Sequence, residues 1–127
     1  QKVAEFLDNR DEVEWVNYAG LDSSKYHPLA KDYMNGSASG ILSFGIKGGI
    51  AAGTKFIDAL ELIVRLVNIG DAKSLACHPA STTHRQLNEE ELKSAGVSVD
   101  MVRLSIGIEN IDDILADITQ ALDASQK

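Results

Sequence analysis

Arg103 stands in the run Met101-Val102-Arg103-Leu104-Ser105-Ile106-Gly107-Ile108-Glu109, a permanent cation inside an otherwise strand-like apolar stretch. Read with a period of two, Val102, Leu104 and Ile106 share one face, while Met101, Arg103 and Ser105 share the other. A guanidinium on that second face is solvated, tied into an ion pair, or placed to hold an anion. Its planar fork of donors suits a carboxylate bound through two parallel hydrogen bonds. Two other segments offer groups that could converge on the same anion. Asn68-Ile69-Gly70-Asp71 is a bend with a side-chain amide and free backbone N–H groups, and Ser81-Thr82-Thr83-His84 is rich in hydroxyls. Together with Arg103 they could hold the carboxylate of an amino acid.

Other constellations fail on chemistry. Gly48-Gly49-Ile50-Ala51-Ala52-Gly53-Thr54-Lys55 looks like a phosphate loop, but a functional one ends in Lys then Ser or Thr, and here the order is reversed. Its glycines read as a tight turn into a helix. Cys77, His78 and His84 match no common zinc spacing. Adjacent strand residues also point to opposite faces, so Cys77 and His78 cannot share an ion or form a nucleophile pair. Lys47, Lys55 and Lys73 lie at strand ends or in a helix start, whereas a Schiff-base lysine needs a desolvated pocket. No catalytic residue, cofactor ligand or metal ligand is expected in this chain.

The elements that must position Arg103 follow from the apolar pattern. Residues 2–10 read as a helix, 14–19 as a strand, 20–27 as a loop, and 29–34 as a short helix closed by Asn35-Gly36. Residues 41–47 form a strand whose apolar face is Leu42, Phe44 and Ile46. Phe56, Leu60, Ile63, Val64 and Val67 fall on one helical stripe, which predicts a long helix ended by residues 68–71. A short strand over 74–77, a long polar loop over 78–88 and a short helix over 89–95 follow. After the strand of Arg103, Asn110 caps a final helix whose stripe is Ile111, Ile114, Leu115, Ile118 and Leu122. The expected architecture is α/β, an α+β sandwich: a small, mostly antiparallel four-stranded sheet with helices covering one face. The other face carries Arg103 and is bare or meets a partner.

Composition bounds the rest. A chain of 127 residues is the size of one domain, and 44% hydrophobic with 24% charged residues is ordinary for a globular protein. A net charge of -7 argues against nucleic acid, which demands a basic patch. No apolar run reaches the ~20 residues that span a bilayer. One cysteine excludes an internal disulfide and suits a reducing, cytoplasmic setting. The chain opens without Met inside a helical pattern, and is expected to be a piece of something longer.

The motifs Val13-Glu14-Trp15-Val16-Asn17-Tyr18-Ala19-Gly20-Leu21, Phe44-Gly45-Ile46-Lys47-Gly48-Gly49, Asn68-Ile69-Gly70-Asp71-Ala72-Lys73-Ser74-Leu75, His78-Pro79-Ala80-Ser81-Thr82-Thr83-His84 and Val102 through Glu109 occur in one order. In this the chain resembles the C-terminal domain of the fold-type-I pyridoxal-phosphate enzymes of cysteine and methionine metabolism, over nearly its whole length. Asparagine at 68, where many relatives have serine, looks like the O-acetylhomoserine sulfhydrylase branch. Cystathionine γ-synthase, cystathionine γ-lyase and methionine γ-lyase are the neighbouring alternatives. The resemblance implies that residues 1–127 form a single domain and that the large cofactor-binding domain is absent. It implies that Arg103 grips the substrate α-carboxylate beside Asn68 and the backbone of Ile69, with Thr83 supporting the pocket. The cofactor's lysine would lie outside this chain, and the parent would be a cytoplasmic homotetramer. It would replace the acetate of O-acetylhomoserine by sulfide or a thiol, giving homocysteine or methionine, with this piece inactive alone. A reading of another class is a stand-alone amino-acid-binding regulatory module using the same arginine.

Overall fold

Alternating apolar residues on two neighbouring strands make the floor of the core. In the computed structural model, which describes residues 1–36, 38–82, 86 and 88–127 and the main chain alone at Glu89 and Lys93, these are β2 (Ile41–Ile46) and β5 (Met101–Ser105). They run antiparallel, with Leu42 opposite Leu104 and Phe44 opposite Val102. β1 (Val13–Asn17) flanks β2, and β4 (Leu75–Cys77) and β3 (Val64–Arg65) follow β5, giving the order β1-β2-β5-β4-β3. Leu42, Phe44, Ile46, Val102, Leu104 and Ala76 face α1 (Lys2–Asp8), α3 (Gly49–Ala59) and α5 (Ile111–Ser125). Phe44 and Phe56 meet edge to face with centroids 5.6 Å apart, a geometry favoured by the ring quadrupoles.

The expected mixed α and β architecture is present, with two corrections. The sheet has five strands rather than four; it is mostly antiparallel as expected, with β3 alone pairing parallel, to β4. The stripe from Phe56 to Val67 is not one helix. The helix begins earlier, at Gly49, where Gly48 (φ +99°) and Gly49 (φ +61°) make the turn that a side chain would strain. It stops at Ala59, and Leu60 is extended. Neither Gly nor Pro marks that stop. The buried Asp117 carboxylate makes it, accepting the main-chain N–H groups of Glu61 (2.8 Å), Leu62 (3.0 Å) and Ile63 (2.8 Å). Val64 and Val67, assigned by pattern to a buried stripe, are exposed on the far strand and the bend after it.

The face bearing Arg103 is not wholly bare. Ala80, Leu92 and Val97 pack with Val99 and Met101 over part of it, carried by a 3-10 turn (Pro79–Ser81) and α4 (Glu89–Ser94). Asn88 caps α4 reciprocally: its Oδ1 accepts from Glu91 N at 3.0 Å, and its own N–H reaches Glu91 Oε2 at 2.8 Å. Asn110 caps α5 through Asp112 N at 2.8 Å, as its spacing predicts. α2 (His27–Met34) ends on Asn35 (φ 51°).

His78, read from sequence as a loop residue, is 1% exposed. Its Nε2 donates to the Val99 carbonyl at 2.9 Å, and Nδ1 accepts from the Ser81 hydroxyl at 2.8 Å. The ring lies against α3, where a Cβ on Gly53 would come within 2.5 Å of Nε2. Burial pushes the His78 pKa below 6.5, outweighing the Val99 carbonyl and the Asp100 charge, which act to raise it. Below about pH 6.5 the unfolded chain takes up a proton that the folded chain refuses. This contribution to stability is therefore complete above that pH and declines as the pH falls towards the folded-state pKa. Urea midpoints at pH 7.5 and 5.5 check this: the midpoint should fall for the natural chain, and fall less for His78→Gln.

Candidate functional site

Arg103 lies in the central strand, directly opposite Ser43 of β2 and Cys77 of β4. Antiparallel partners share a face, so these three side chains lie together on the side away from the main core. Arg103 is half-buried, and its Nη2 donates to the carbonyl of Val67. Among the described residues no ion pair includes it. The other arginines that form ion pairs are Arg10, with Glu12 and Asp123, and Arg65, with Asp58. Of the readings left open by sequence, the internal carboxylate partner is therefore absent among the described residues.

Every second residue from 103 to 109 holds the segment 67–74. Arg103 takes the Val67 carbonyl. Ser105 Oγ accepts the Gly70 N–H at 3.1 Å. Gly107 N donates to Ser74 Oγ at 2.9 Å, and a Cβ at Gly107 would run into the Ala72 carbonyl. Glu109 accepts the Ser74 N–H at 2.6 Å and the Ser74 hydroxyl at 2.9 Å. Burial acts to raise the Glu109 pKa, but the hydrogen bonds from Ser74 outweigh it and hold the carboxyl below its ordinary value, as an ionised acceptor. The Ile108 N–H adds a bond to the Ala72 carbonyl at 2.9 Å.

This ladder brings together three of the four residues expected to bind substrate. Asn68 and Ile69 lie between the anchors at Val67 and Gly70 and are exposed. No hydrogen bond among the described residues uses either of their N–H groups. An anion beside Arg103 would thus find a guanidinium, a side-chain amide and main-chain donors on one surface. Thr83 and His84 lie outside the described residues. Of their loop, Ser81 and Thr82 are turned inward: Thr82 Oγ1 donates to the His78 carbonyl at 2.8 Å.

The space here is open rather than enclosed. A cleft of about 190 Å³ beside β4 is lined by Arg65, Leu66, Val67, Ala76, Cys77 and Thr82. A larger one, about 640 Å³, lies towards β1 between Trp15, Asn17, Ser43 and the α4 segment. Arg103 lines neither. Lys47, Lys55 and Lys73 are all exposed, and so do not fit a cofactor-bearing lysine. No cluster of three or more metal-ligating side chains occurs among the described residues. No helix among them is long and apolar enough to cross a membrane.

Sequence reasoning missed Asp117 and the roles of Ser74, Ser105 and Glu109. Signals existed: Asp117 falls on the α5 face that buries Ile114, Ile118, Ala121 and Leu122, and Ser105 and Glu109 share the period of Arg103.

The model of the family described as Cys/Met metabolism PLP-dependent enzyme matches residues 1–123. The chain is 57% identical over 122 residues to an O-acetyl-L-homoserine sulfhydrylase of Leptospira meyeri, covering 95% of this chain and 28% of that protein. It is 49% identical over 125 residues to an L-methionine gamma-lyase of Pseudomonas putida, covering 98% and 31%. A solved structure of a putative O-acetylhomoserine (thiol)-lyase from Campylobacter jejuni, with N'-pyridoxyl-lysine-5'-monophosphate at position 205, superposes with a TM-score of 0.87 at 46% identity. That match covers 96% of this chain and 29% of the other.

Proposed function

The chain belongs to the family of Cys/Met metabolism PLP-dependent enzymes, and on that footing we propose that residues 1–127 are the C-terminal, substrate-clamping domain of an O-acetylhomoserine sulfhydrylase. The observation that carries this is Arg103: a half-buried guanidinium that has no carboxylate partner among the described residues, held by the Val67 carbonyl beside Asn68 and Ile69, whose N–H groups bond no described residue. Arg103 receives the α-carboxylate of the amino acid, and Asn68 and Ile69 flank it. Thr83 supports the same pocket from its loop. A large domain completes the site, bears the cofactor's lysine and builds a homotetramer. Pyridoxal phosphate, when bound there, supplies the electron sink.

The net change is at the γ-carbon of O-acetylhomoserine. The C–O bond to acetate breaks, acetate leaves with the bonding pair, and a C–S bond forms to sulfide or a thiolate, giving homocysteine or methionine. This chain's residues bind and orient. Fixing the carboxylate restricts how the reacting carbon presents itself, which lowers the entropic part of the barrier. The enzyme works in the cytoplasm, where the buried Cys77 thiol stays reduced.

A second reading, elimination from methionine, is favoured by the 49% identity to a methionine γ-lyase. The full-length protein separates the two. O-acetylhomoserine with sulfide should yield homocysteine, with little turnover of methionine or cystathionine alone; the reverse pattern would overturn the sulfhydrylase assignment. Calorimetry on the 127-residue chain tests the regulatory-module alternative, which requires tight amino-acid binding without the large domain.

A further inference from the structure

We infer that Ser105 is a positioning residue for the amino-acid substrate, acting through the Gly70 N–H to hold Asn68 and Ile69 beside Arg103. This rests on the reading of Arg103 as the carboxylate site. Ser105 is 3% exposed and sits in register between Ile41 of β2 and Leu75 of β4. A hydroxyl between two such neighbours is costly unless bonded, and Ser105 Oγ accepts the Gly70 N–H at 3.1 Å. Gly70 has φ +74°, a left-handed turn that reverses the segment immediately after Ile69. On the other side of Asn68 and Ile69 the tether is Arg103 itself, through the Val67 carbonyl.

The geometry makes these two tethers unequal once substrate arrives. A carboxylate competes with the Val67 carbonyl for the guanidinium. Ser105 faces no such competitor, so its hydrogen bond keeps Asn68 and Ile69 in place while Arg103 turns to the ligand. Removing the hydroxyl leaves the Gly70 N–H without its partner and lets residues 68–69 move away from the anion. The loss falls on binding the amino acid and not on the sulfur nucleophile.

In the full-length enzyme, Ser105→Ala should raise the KM for O-acetylhomoserine by about 5- to 20-fold while kcat stays within about twofold and the KM for sulfide is unchanged. Ser105→Cys, whose sulfur is only a weak acceptor, should fall between the natural enzyme and alanine, and it provides the test if the alanine variant does not fold. A lower kcat with an unchanged KM is the mark of lost active protein and would overturn the inference. Arg103→Ala, assayed alongside, keeps the two claims apart. If Arg103→Ala raises KM and neither Ser105 variant does, the inference fails alone. If Arg103→Ala changes nothing, the site reading fails with it.

Discussion

Arg103→Ala in the full-length enzyme is expected to lower kcat/KM for O-acetylhomoserine by on the order of 10²- to 10³-fold, mostly through KM. The magnitude follows from the bonds removed. Two charge-assisted hydrogen bonds from one guanidinium to a carboxylate are worth about 3–4 kcal/mol together in a partly desolvated site. Alanine also releases the Val67 carbonyl, so before substrate arrives the segment bearing Asn68 and Ile69 lacks the tether that Arg103 gives it. Arg103→Lys should restore about a tenth of the natural kcat/KM or less: an ammonium keeps the charge but cannot reproduce the planar fork. The KM for sulfide should not move in either variant, because the lost contacts address the carboxylate. Steady-state kinetics with each substrate varied separately gives all of these values. Unchanged kinetics in Arg103→Ala would remove the residue from the site.

How much of this was legible in the sequence depends on how far each interaction reaches. Period two in residues 101–105 reports its own strand, because side chains alternate wherever the backbone is extended. Caps are equally local: Asn88 and Asn110 each bond a main-chain N–H two or three residues ahead. The stop of α3 was not legible, because the group that makes it lies 54 to 56 residues away in α5. Phe56, Leu60, Ile63, Val64 and Val67 satisfy a helical period, yet only Phe56 remains in the helix. The β-branched run Ile63-Val64 suited a strand as well, and a distant carboxylate decides between the two.

The same contrast explains the site. Arg103 stands out in sequence because a charge interrupts an apolar run. Its usefulness depends on what the alternate residues behind it do. Ser105, Gly107 and Glu109 carry no obvious chemistry, and their spacing from Arg103 reads as more strand. In the fold Ser105 holds Gly70 while Gly107 and Glu109 both hold Ser74, so the arginine and the bend beside it are fixed to one backbone. The geometry proposed to bind substrate is thus a property of the strand as a unit, and on that reading a substitution at 105 or 109 acts on Asn68 without touching a ligand.

Asp117→Ala should destabilise the fold by about 3–4 kcal/mol, with Tm lower by roughly 10 °C or more. Asp117 is 6% exposed, and its carboxylate gathers three successive main-chain N–H groups together with the Gln120 side-chain amide at 3.0 Å. Gln120 also donates to the Ala59 carbonyl at 2.6 Å, so the last turn of α3 and the bend beyond it close on one point. Burial acts to raise the pKa of Asp117, but these hydrogen bonds outweigh it and hold the carboxyl below its ordinary value of 3.8. The unfolded chain therefore binds this proton at a higher pH than the folded one. The stabilisation is fully present above about pH 4 and is lost as the pH falls through the folded-state value. Asp117→Asn should cost about 2 kcal/mol, since one amide oxygen can accept from part of the cluster while its NH2 group faces donors. Urea denaturation at pH 7 and pH 3 separates charge from shape. The gap between natural and asparagine chains should narrow in acid, and a gap of constant size would mean that the ionised carboxylate contributes nothing to this bend.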